Sequence, residues 1–367
     1  MQEFIQQIIN GLSAGAIYAL IAVGYTMVYG VLRLINFAHG DIYMIGAMTS
    51  MYAFSRVLWT PADGEKPLLI GLGIAAAVVA LLMVLSRKRL VRDWALDAAA
   101  TVFALLVVAD LCFWHQRGGV AREPSYTTFL LVLLAAMFVC GCLGFAIERL
   151  AYRPLRNQPR ITALITAIGV SLLLEFGGQR VFGATPQAQR PLLPGVEQAP
   201  EMFTLLGASV GKVDVLIFAT TLVLMVILWA LVQHTRTGMA LRAVSFRFDT
   251  ASLMGININR IISFTFILGS ALAAAAGVLV SVKYPQVSPL MGLMPGIKAF
   301  VAAVLGGIGN IPGAVAGGLL LGLVETLVAG YLPQGSQYRD GVAFVILIAV
   351  LLVKPSGLFG QHTIEKV

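Results

Sequence analysis

Long apolar runs broken by short polar stretches dominate the pattern along this chain of 367 residues. Three uncharged runs, 68–86, 129–147 and 261–282, reach the roughly 20 residues that an α-helix needs to cross a bilayer. The pattern predicts about eleven apolar segments, or as few as nine where short or glycine-broken segments do not cross: 8–30, 41–59, 68–85, 95–114, 126–148, 161–182, 213–233, 261–282, 290–307, 312–330 and 341–353. The predicted fold class is an all-α polytopic membrane protein with about 9–11 transmembrane or re-entrant helices, and residues 1–367 are expected to form a single transmembrane domain.

The composition supports this class, because only 11% of the residues are charged and 59% are hydrophobic. A soluble domain carries about 25% charged residues. The three cysteines, Cys112, Cys140 and Cys142, lie in or beside apolar segments and are expected to be small core hydrophobes. We find no metal-binding spacing, nucleotide-binding loop or catalytic motif, and therefore expect no metal site and no enzymatic activity in this chain.

The net charge of +8 comes from basic clusters that lie between apolar segments. Residues 86–93, 148–160 and 234–248 hold 11 of the 25 arginines and lysines, and this clustering indicates cytoplasmic loops. Residues 60–67, 183–212 and 331–340 then fall outside. The 183–212 loop is either an irregular connection or a docking surface for an extracytoplasmic protein.

One polar cluster, in "LRLINFAHGDIYMIG" at 32–46, interrupts the apolar pattern near the N-terminus. Asn36 and Asp41 are residue types that cap helices, and Gly40 permits a sharp turn. With Phe37 keeping the stretch against the bilayer, we predict a capped helix break near the inner mouth of a pathway. The alternative is direct contact with a substrate, for which His39 is the strongest candidate.

Two opposite charges, Lys298 and Glu325, lie inside neighbouring apolar segments. An ionisable group at membrane depth is costly and is a functional candidate by default. The two side chains are predicted either to form a structural ion pair or to belong to a proton relay. A relay needs a series of such groups along one path, and the sequence does not show one.

The stretch 236–264 predicts a short helix outside the membrane, a turn at Gly255 and then the span from Ile261. Its apolar stripe is expected to contain Ala243, Phe246, Ala251, Leu253 and Met254. Such a stripe fits either an amphipathic helix on the lipid surface or a knob that enters a groove on a cytoplasmic partner.

Several blocks of the sequence resemble the LivH-type permeases, the membrane subunits of high-affinity branched-chain amino acid ABC importers. The likeness begins at "INGLSAGAIYALIAVGYTMVYGVLRLINFAHGDIYMIGA" and continues in "IERLAYRPLRNQPRITALITAIGVSLLLE". It resumes in "LRAVSFRFDTASLMGININRIISFTFILGSALAAAAGVL" and closes with "GIKAFVAAVLGGIGNIPGAVAGGLLLGLVETL" and "LLVKPSGLFG". Relative to the usual permease, residues 62–122 look inserted and are expected to form a pair of extra helices.

The resemblance implies a bacterial inner-membrane importer with a second LivM-type permease, two cytoplasmic ATPases that bind ATP and Mg, and a periplasmic amino-acid-binding protein. No cofactor is expected on this chain, and no nucleic acid partner. Residues 242–256, within a cytoplasmic loop at 236–260, would form the coupling helix that contacts an ATPase. The residues assigned to this contact are Arg242, Phe246, Asp249, Ala251, Leu253, Met254 and Gly255.

Alternating-access import of leucine, isoleucine and valine is the function that this resemblance implies. The same importer class could carry urea, short amides or other amino acids. An ion-coupled secondary transporter or channel and a membrane enzyme are the remaining hypotheses. We expect the substrate path to be lined by small and apolar residues, because the binding protein supplies the affinity.

Overall fold

The computed structural model describes residues 2–34, 36–56, 100–107, 124–156, 158–189, 191–196, 201–205 and 207–360. Within these ranges the chain is mainly helical, as its apolar segments predict. We number the helices in chain order: α1 (Gln2–Leu32), α2 (Ala38–Arg56), α3 (Tyr126–Ile147), α4 (Arg160–Phe182), α5 (Lys212–His234), α6 (Arg236–Phe246), α7 (Phe248–Leu253), α8 (Ile258–Lys283), α9 (Leu293–Gly306), α10 (Ile311–Tyr331) and α11 (Gly335–Val353).

Seven of the described helices are long and apolar enough to cross a membrane, and they correspond to predicted segments. They are α1, α3, α4, α5, α8, α10 and α11. The predicted segments 41–59 and 290–307 correspond to α2 and to the 14-residue α9. The segment 68–85 and most of the proposed 62–122 insertion lie outside the described residues, apart from the helical residues 100–107.

Helices α1 and α8 form the centre of the fold, and α4, α5 and α11 form its periphery. About three quarters of the most apolar window of α1 and α8 is buried, whereas that share falls to 6% in α11. The peripheral helices expose large apolar side chains such as Ile165, Leu173, Leu222 and Val345. An apolar surface of this kind is stable against lipid and not against water.

Small residues hold the central helices together. A Cβ atom on Gly322 of α10 would collide with the Gly15 backbone of α1, and one on Gly318 would lie 2.6 Å from Ala19 Cα. Close backbone approach of this kind drives helix association in lipid. Gly318 and Gly322 are four residues apart on α10, so both lie on the face that meets α1.

Short strands cover the outer end of the helices. Strand β1 (Gln187–Ala188) pairs antiparallel with β4 (Gln286–Val287), and β2 (Glu201–Leu205) pairs with β3 (Ala208–Gly211). The 183–212 loop is therefore partly ordered by pairing across about 100 residues of sequence.

Two sets of hydrogen bonds show how the helices alternate in direction. One set lies at the end that carries these strands, where α1, α2 and α8 each contribute one bond: Gln6 with Ser209, Ser50 with Gln189, and Lys283 with Asp214. The other set lies at the opposite end, beside the basic loops: Tyr152 with Asn36, and Arg156 with Asn259. We call these ends the outer and the cytoplasmic end, after the orientation that the basic loops predict.

Candidate functional site

The helix break at 33–37 joins α1 to α2 near the cytoplasmic end. Arg33 is exposed and has a φ of 54°, so the chain reverses at this residue. The Asn36 Oδ1 atom accepts a hydrogen bond of 2.8 Å from the hydroxyl of Tyr152, and Phe37 packs against the core. Asn36 is therefore buried by a contact with the segment after α3 rather than by capping α2 with its side chain.

Gly40 and Asp41 lie inside the first turns of α2, so the sequence-based roles of a turn and a cap are wrong for them. Gly40 does not have a positive φ. Its Cβ would lie 2.6 Å from the oxygen of Gly292 and 2.9 Å from Gly296 Cα, so glycine is needed for close approach to the start of α9. Asp41 Oδ2 accepts a 2.5 Å hydrogen bond from Ser171 of α4.

His39 is buried between α1 and α2. Its Nε2 atom lies 3.2 Å from the carbonyl oxygen of Ile21, and its ring meets Tyr25 edge-on at 4.6 Å between centroids. The Nδ1 atom has no hydrogen-bond partner among the described residues. These contacts fit a neutral imidazole that donates from Nε2, which is an inferred tautomer.

Lys298 and Glu325 lie together, and two further residues join them. Lys298 Nζ is 3.0 Å from Glu325 Oε1 and 2.6 Å from Asp340 Oδ1. The Tyr18 hydroxyl donates to Glu325 Oε2 at 2.9 Å. The sequence analysis missed Asp340 because it assigned 331–340 to an outer loop, whereas α11 already begins at Gly335.

The cytoplasmic loop consists of two short helices, α6 and α7, with a break at Arg247. Phe246, Leu253 and Met254 expose 79, 86 and 80% of their surface. Gly255 ends this unit with a φ of 79°, as the sequence predicts.

The predicted single apolar stripe is wrong, because its members do not share a face. Ala251 is buried and Ala243 is half-buried, so both face the protein. Ala251 therefore seats α7 and does not present a surface. Arg242 and Asp249 are exposed, and Arg242 donates to Gln233 at the end of α5 at 2.6 Å.

A buried ion pair behind α7 was not predicted from the sequence. The Glu148 carboxylate is fully buried, pairs with Arg156 and accepts a 2.5 Å hydrogen bond from Ser263 of α8. Burial lowers the pKa of the Arg156 guanidinium, and the charge of Glu148 offsets part of this effect. Arg156 also donates to Asn259 at 2.5 Å, which ties the segment after α3 to the start of α8. The sequence signal was the single acid Glu148 among the basic residues of 148–160, but the charges there served only to predict orientation.

Comparison with known proteins identifies the family. Residues 7–351 match the family described as "Branched-chain amino acid transport system / permease component". The chain is 37% identical over 366 residues to the LivH high-affinity branched-chain amino acid transport system permease protein of Salmonella typhimurium, covering 99% of this chain and 98% of that protein. It is 38% identical to LivH of Escherichia coli K12, with the same coverage, and 38% identical to BraD of Pseudomonas aeruginosa over 100 and 98% of the two chains.

One solved structure, a chain of "PsaBC from Streptococcus pneumoniae in complex with Fab", covers 97% of this chain and 94% of its own at 10% identity. Its TM-score of 0.42 is too low to assign a fold. The family match and the near-complete coverage of the relatives agree with the resemblance that the sequence blocks show. This multi-pass membrane protein therefore belongs to the permease component family of branched-chain amino acid transport systems.

Proposed function

We propose that this chain is one of two different permease subunits of an ATP-driven importer for leucine, isoleucine and valine. The partners are a LivM-type permease, two cytoplasmic ATPases and a periplasmic amino-acid-binding protein. Hydrolysis of ATP with Mg takes place on the ATPase subunits, and this chain receives the movement.

The exposed knob at the cytoplasmic end carries this proposal. Phe246, Leu253 and Met254 are large apolar residues that are each more than three quarters exposed, at the end marked by the basic loops. Within the described part of the chain, nothing covers them. A small, rigid apolar knob of this kind fits a groove on a partner protein.

The position of the knob supports its proposed role in coupling. The α7 unit is seated by buried Ala251 and leads directly into α8, one of the two most buried of the seven candidate membrane-spanning helices. Asn257 caps α8 by accepting a hydrogen bond from the Arg260 amide at 3.2 Å. A displacement of α7 is therefore passed to the centre of the fold.

Two segments complete the proposal. Residues 236–260 form the cytoplasmic coupling loop, and the outer loop 183–212 offers a face for the binding protein.

Reconstitution of the complete importer in proteoliposomes tests the proposed function. We expect uptake of leucine that needs both ATP and the binding protein. Ion-gradient-driven uptake by this chain alone would instead support a secondary transporter. A thermal-shift screen of the cognate binding protein with leucine, urea, short amides and other amino acids identifies the substrate class.

Charge substitutions on the knob test the coupling surface. Leu253→Glu should reduce ATP-dependent uptake by at least about tenfold, because truncating or charging a central apolar anchor costs roughly 2 kcal/mol or more. ATPase activity should persist. Met239→Glu is the matched control, since Met239 is an exposed methionine of α6 outside 242–256. If Met239→Glu uncouples the importer and Leu253→Glu does not, the surface is placed incorrectly.

A further inference from the structure

An outward-facing cavity of about 310 Å³ lies beside the buried charge cluster of Lys298. Residues of α1, α2, α8, α9 and α11 line it, including Tyr18, Tyr43 and Arg339. Gln286 of the outer strand β4 and Ser336 at the start of α11 also line it, so the cavity belongs to the outer half of the fold. Ligand pockets range from roughly 300 to 1,000 Å³, so this volume suits one small molecule.

Lys298, Arg339 and Asp340 line this cavity, and Glu325 lies behind Lys298, so the charges are balanced in number once Glu325 is included. Lys298 and Arg339 are cationic, and Glu325 and Asp340 are anionic. Lys298 Nζ bridges the two carboxylates at 3.0 and 2.6 Å. Glu325 is fully buried and already bonded to both Lys298 and Tyr18, so it forms the closed inner part of the cluster.

The outer part of the cluster is open. Arg339 makes no ion pair with any described residue, and its buried Nε atom has no hydrogen-bond partner among them. The Asp340 side chain is 53% exposed and uses one oxygen for Lys298, which leaves the other oxygen free to accept. The cavity thus offers an unpaired guanidinium and a carboxylate oxygen on adjacent residues of α11.

We propose that this cavity binds the zwitterionic backbone of an aliphatic amino acid, with its carboxylate on Arg339 and its ammonium group on Asp340. A guanidinium binds carboxylates through two parallel hydrogen bonds, and the free Asp340 oxygen accepts from an ammonium group. The aliphatic side chain lies against Ile17, Val280 and Met291. This proposal rests on the proposed function and adds the residues that hold the substrate.

Charge balance favours a zwitterion over a simple anion or cation. The four charged side chains sum to zero, so a ligand with a net charge would leave one uncompensated charge in a partly desolvated site. A zwitterion satisfies both open groups and adds no net charge. The inferred site differs from the small, apolar path that the sequence analysis expects.

Cysteine protection in the assembled importer tests this site without relying on transport. Ser336→Cys places a thiol at the cavity rim, where a membrane-impermeant methanethiosulfonate reagent can reach it. The importer without this substitution gives the background from the native cysteines. In the absence of the binding protein, leucine should slow modification at least about fivefold at saturation. Two analogues at equal concentrations should not slow the modification. They are 4-methylpentanoate, which lacks the ammonium group, and 3-methylbutylamine, which lacks the carboxylate.

The role of Arg339 is tested in the same background. Arg339→Gln should raise the half-protecting leucine concentration about ten- to one-hundredfold, as expected for losing a hydrogen-bonded charge. Arg180→Gln is the matched control, because Arg180 is exposed near the outer end of α4 and does not line the cavity. An unchanged modification rate without leucine shows that the variant keeps its cavity.

Three results would overturn the site: no protection by leucine, equal protection by either analogue, or equal effects of Arg339→Gln and Arg180→Gln. Failure of the proposed function is seen separately, as absence of ATP-dependent leucine uptake by the complete importer with native residues. If the native importer takes up leucine but leucine does not protect the thiol of Ser336→Cys, the site is refuted and the importer function still holds.

Discussion

Removing Arg156 from its buried ion pair should destabilise the protein more than any loss of a surface charge. The Glu148 carboxylate is fully buried, and the Arg156 side chain is only 18% exposed. Arg156→Met leaves the Glu148 charge without its cation, with Ser263 as its remaining hydrogen-bond donor. Breaking such a pair costs about 3–5 kcal/mol, and the partial exposure of Arg156 places this site near the lower value.

A double-mutant cycle isolates the interaction. Glu148→Gln removes the buried charge and keeps an oxygen that accepts from Ser263, so it should rescue most of the loss in Arg156→Met. We expect Arg156→Met to lower the free energy of unfolding by about 3 kcal/mol, Glu148→Gln alone by about 1 kcal/mol, and the double variant by about 1 kcal/mol. Subtracting both single effects from the double one gives a coupling of about 3 kcal/mol in magnitude.

The assay is equilibrium unfolding of the purified chain by titration with denaturing detergent, followed by circular dichroism. Arg236→Met is the control, since Arg236 is exposed on the same cytoplasmic end. Its effect should stay within about 0.5 kcal/mol. A coupling energy below about 0.5 kcal/mol would show that Glu148 and Arg156 do not stabilise each other.

Two further substitutions test the packing of the central helices. Gly322→Ala puts a methyl group against the Gly15 backbone and should lower the free energy of unfolding in detergent by about 1–3 kcal/mol. Gly169→Ala is the control, because nothing lies within 4 Å of its Cβ, and it should be neutral or slightly stabilising. Equal effects of the two substitutions would refute the close contact. Tyr152→Phe leaves the buried Asn36 Oδ1 without its donor and should lower stability by about 1–3 kcal/mol, and an unchanged midpoint would show that water replaces the hydroxyl.

The membrane helices were predictable because each is a local property of the sequence. In lipid, a run such as 261–282 must form all of its backbone hydrogen bonds within one segment, which only a helix allows. Helix α8 accordingly spans Ile258–Lys283. The start of α10 also has local causes, because Pro312 lies in its first turn and Asn310 Oδ1 accepts from the Gly313 amide at 3.2 Å. Helix starts in polar sequence were less predictable, which is why α11 begins six residues before the predicted segment.

The details of the candidate sites depend on contacts between distant residues. Gly40 reads as a turn residue, but its neighbours Gly292 and Gly296 are about 250 residues away. The pairing of β1 with β4 and the contact of Lys298 with Asp340 likewise join segments that the sequence separates. Local patterns indicate which residues are unusual, and only the packing of the helices shows which of them meet.

Close backbone contacts also limit how this chain moves during transport. Gly322 joins α10 to α1, Gly46 joins α2 to α8, where a Cβ on it would lie 2.5 Å from Ala274 Cα, and Gly40 joins α2 to the start of α9. With no layer of long side chains to slide past one another, these five helices are expected to turn as a single rigid body. In the proposed importer, alternating access would then be a rocking of the whole subunit against the proposed second permease, with the hinge at the interface between the two chains.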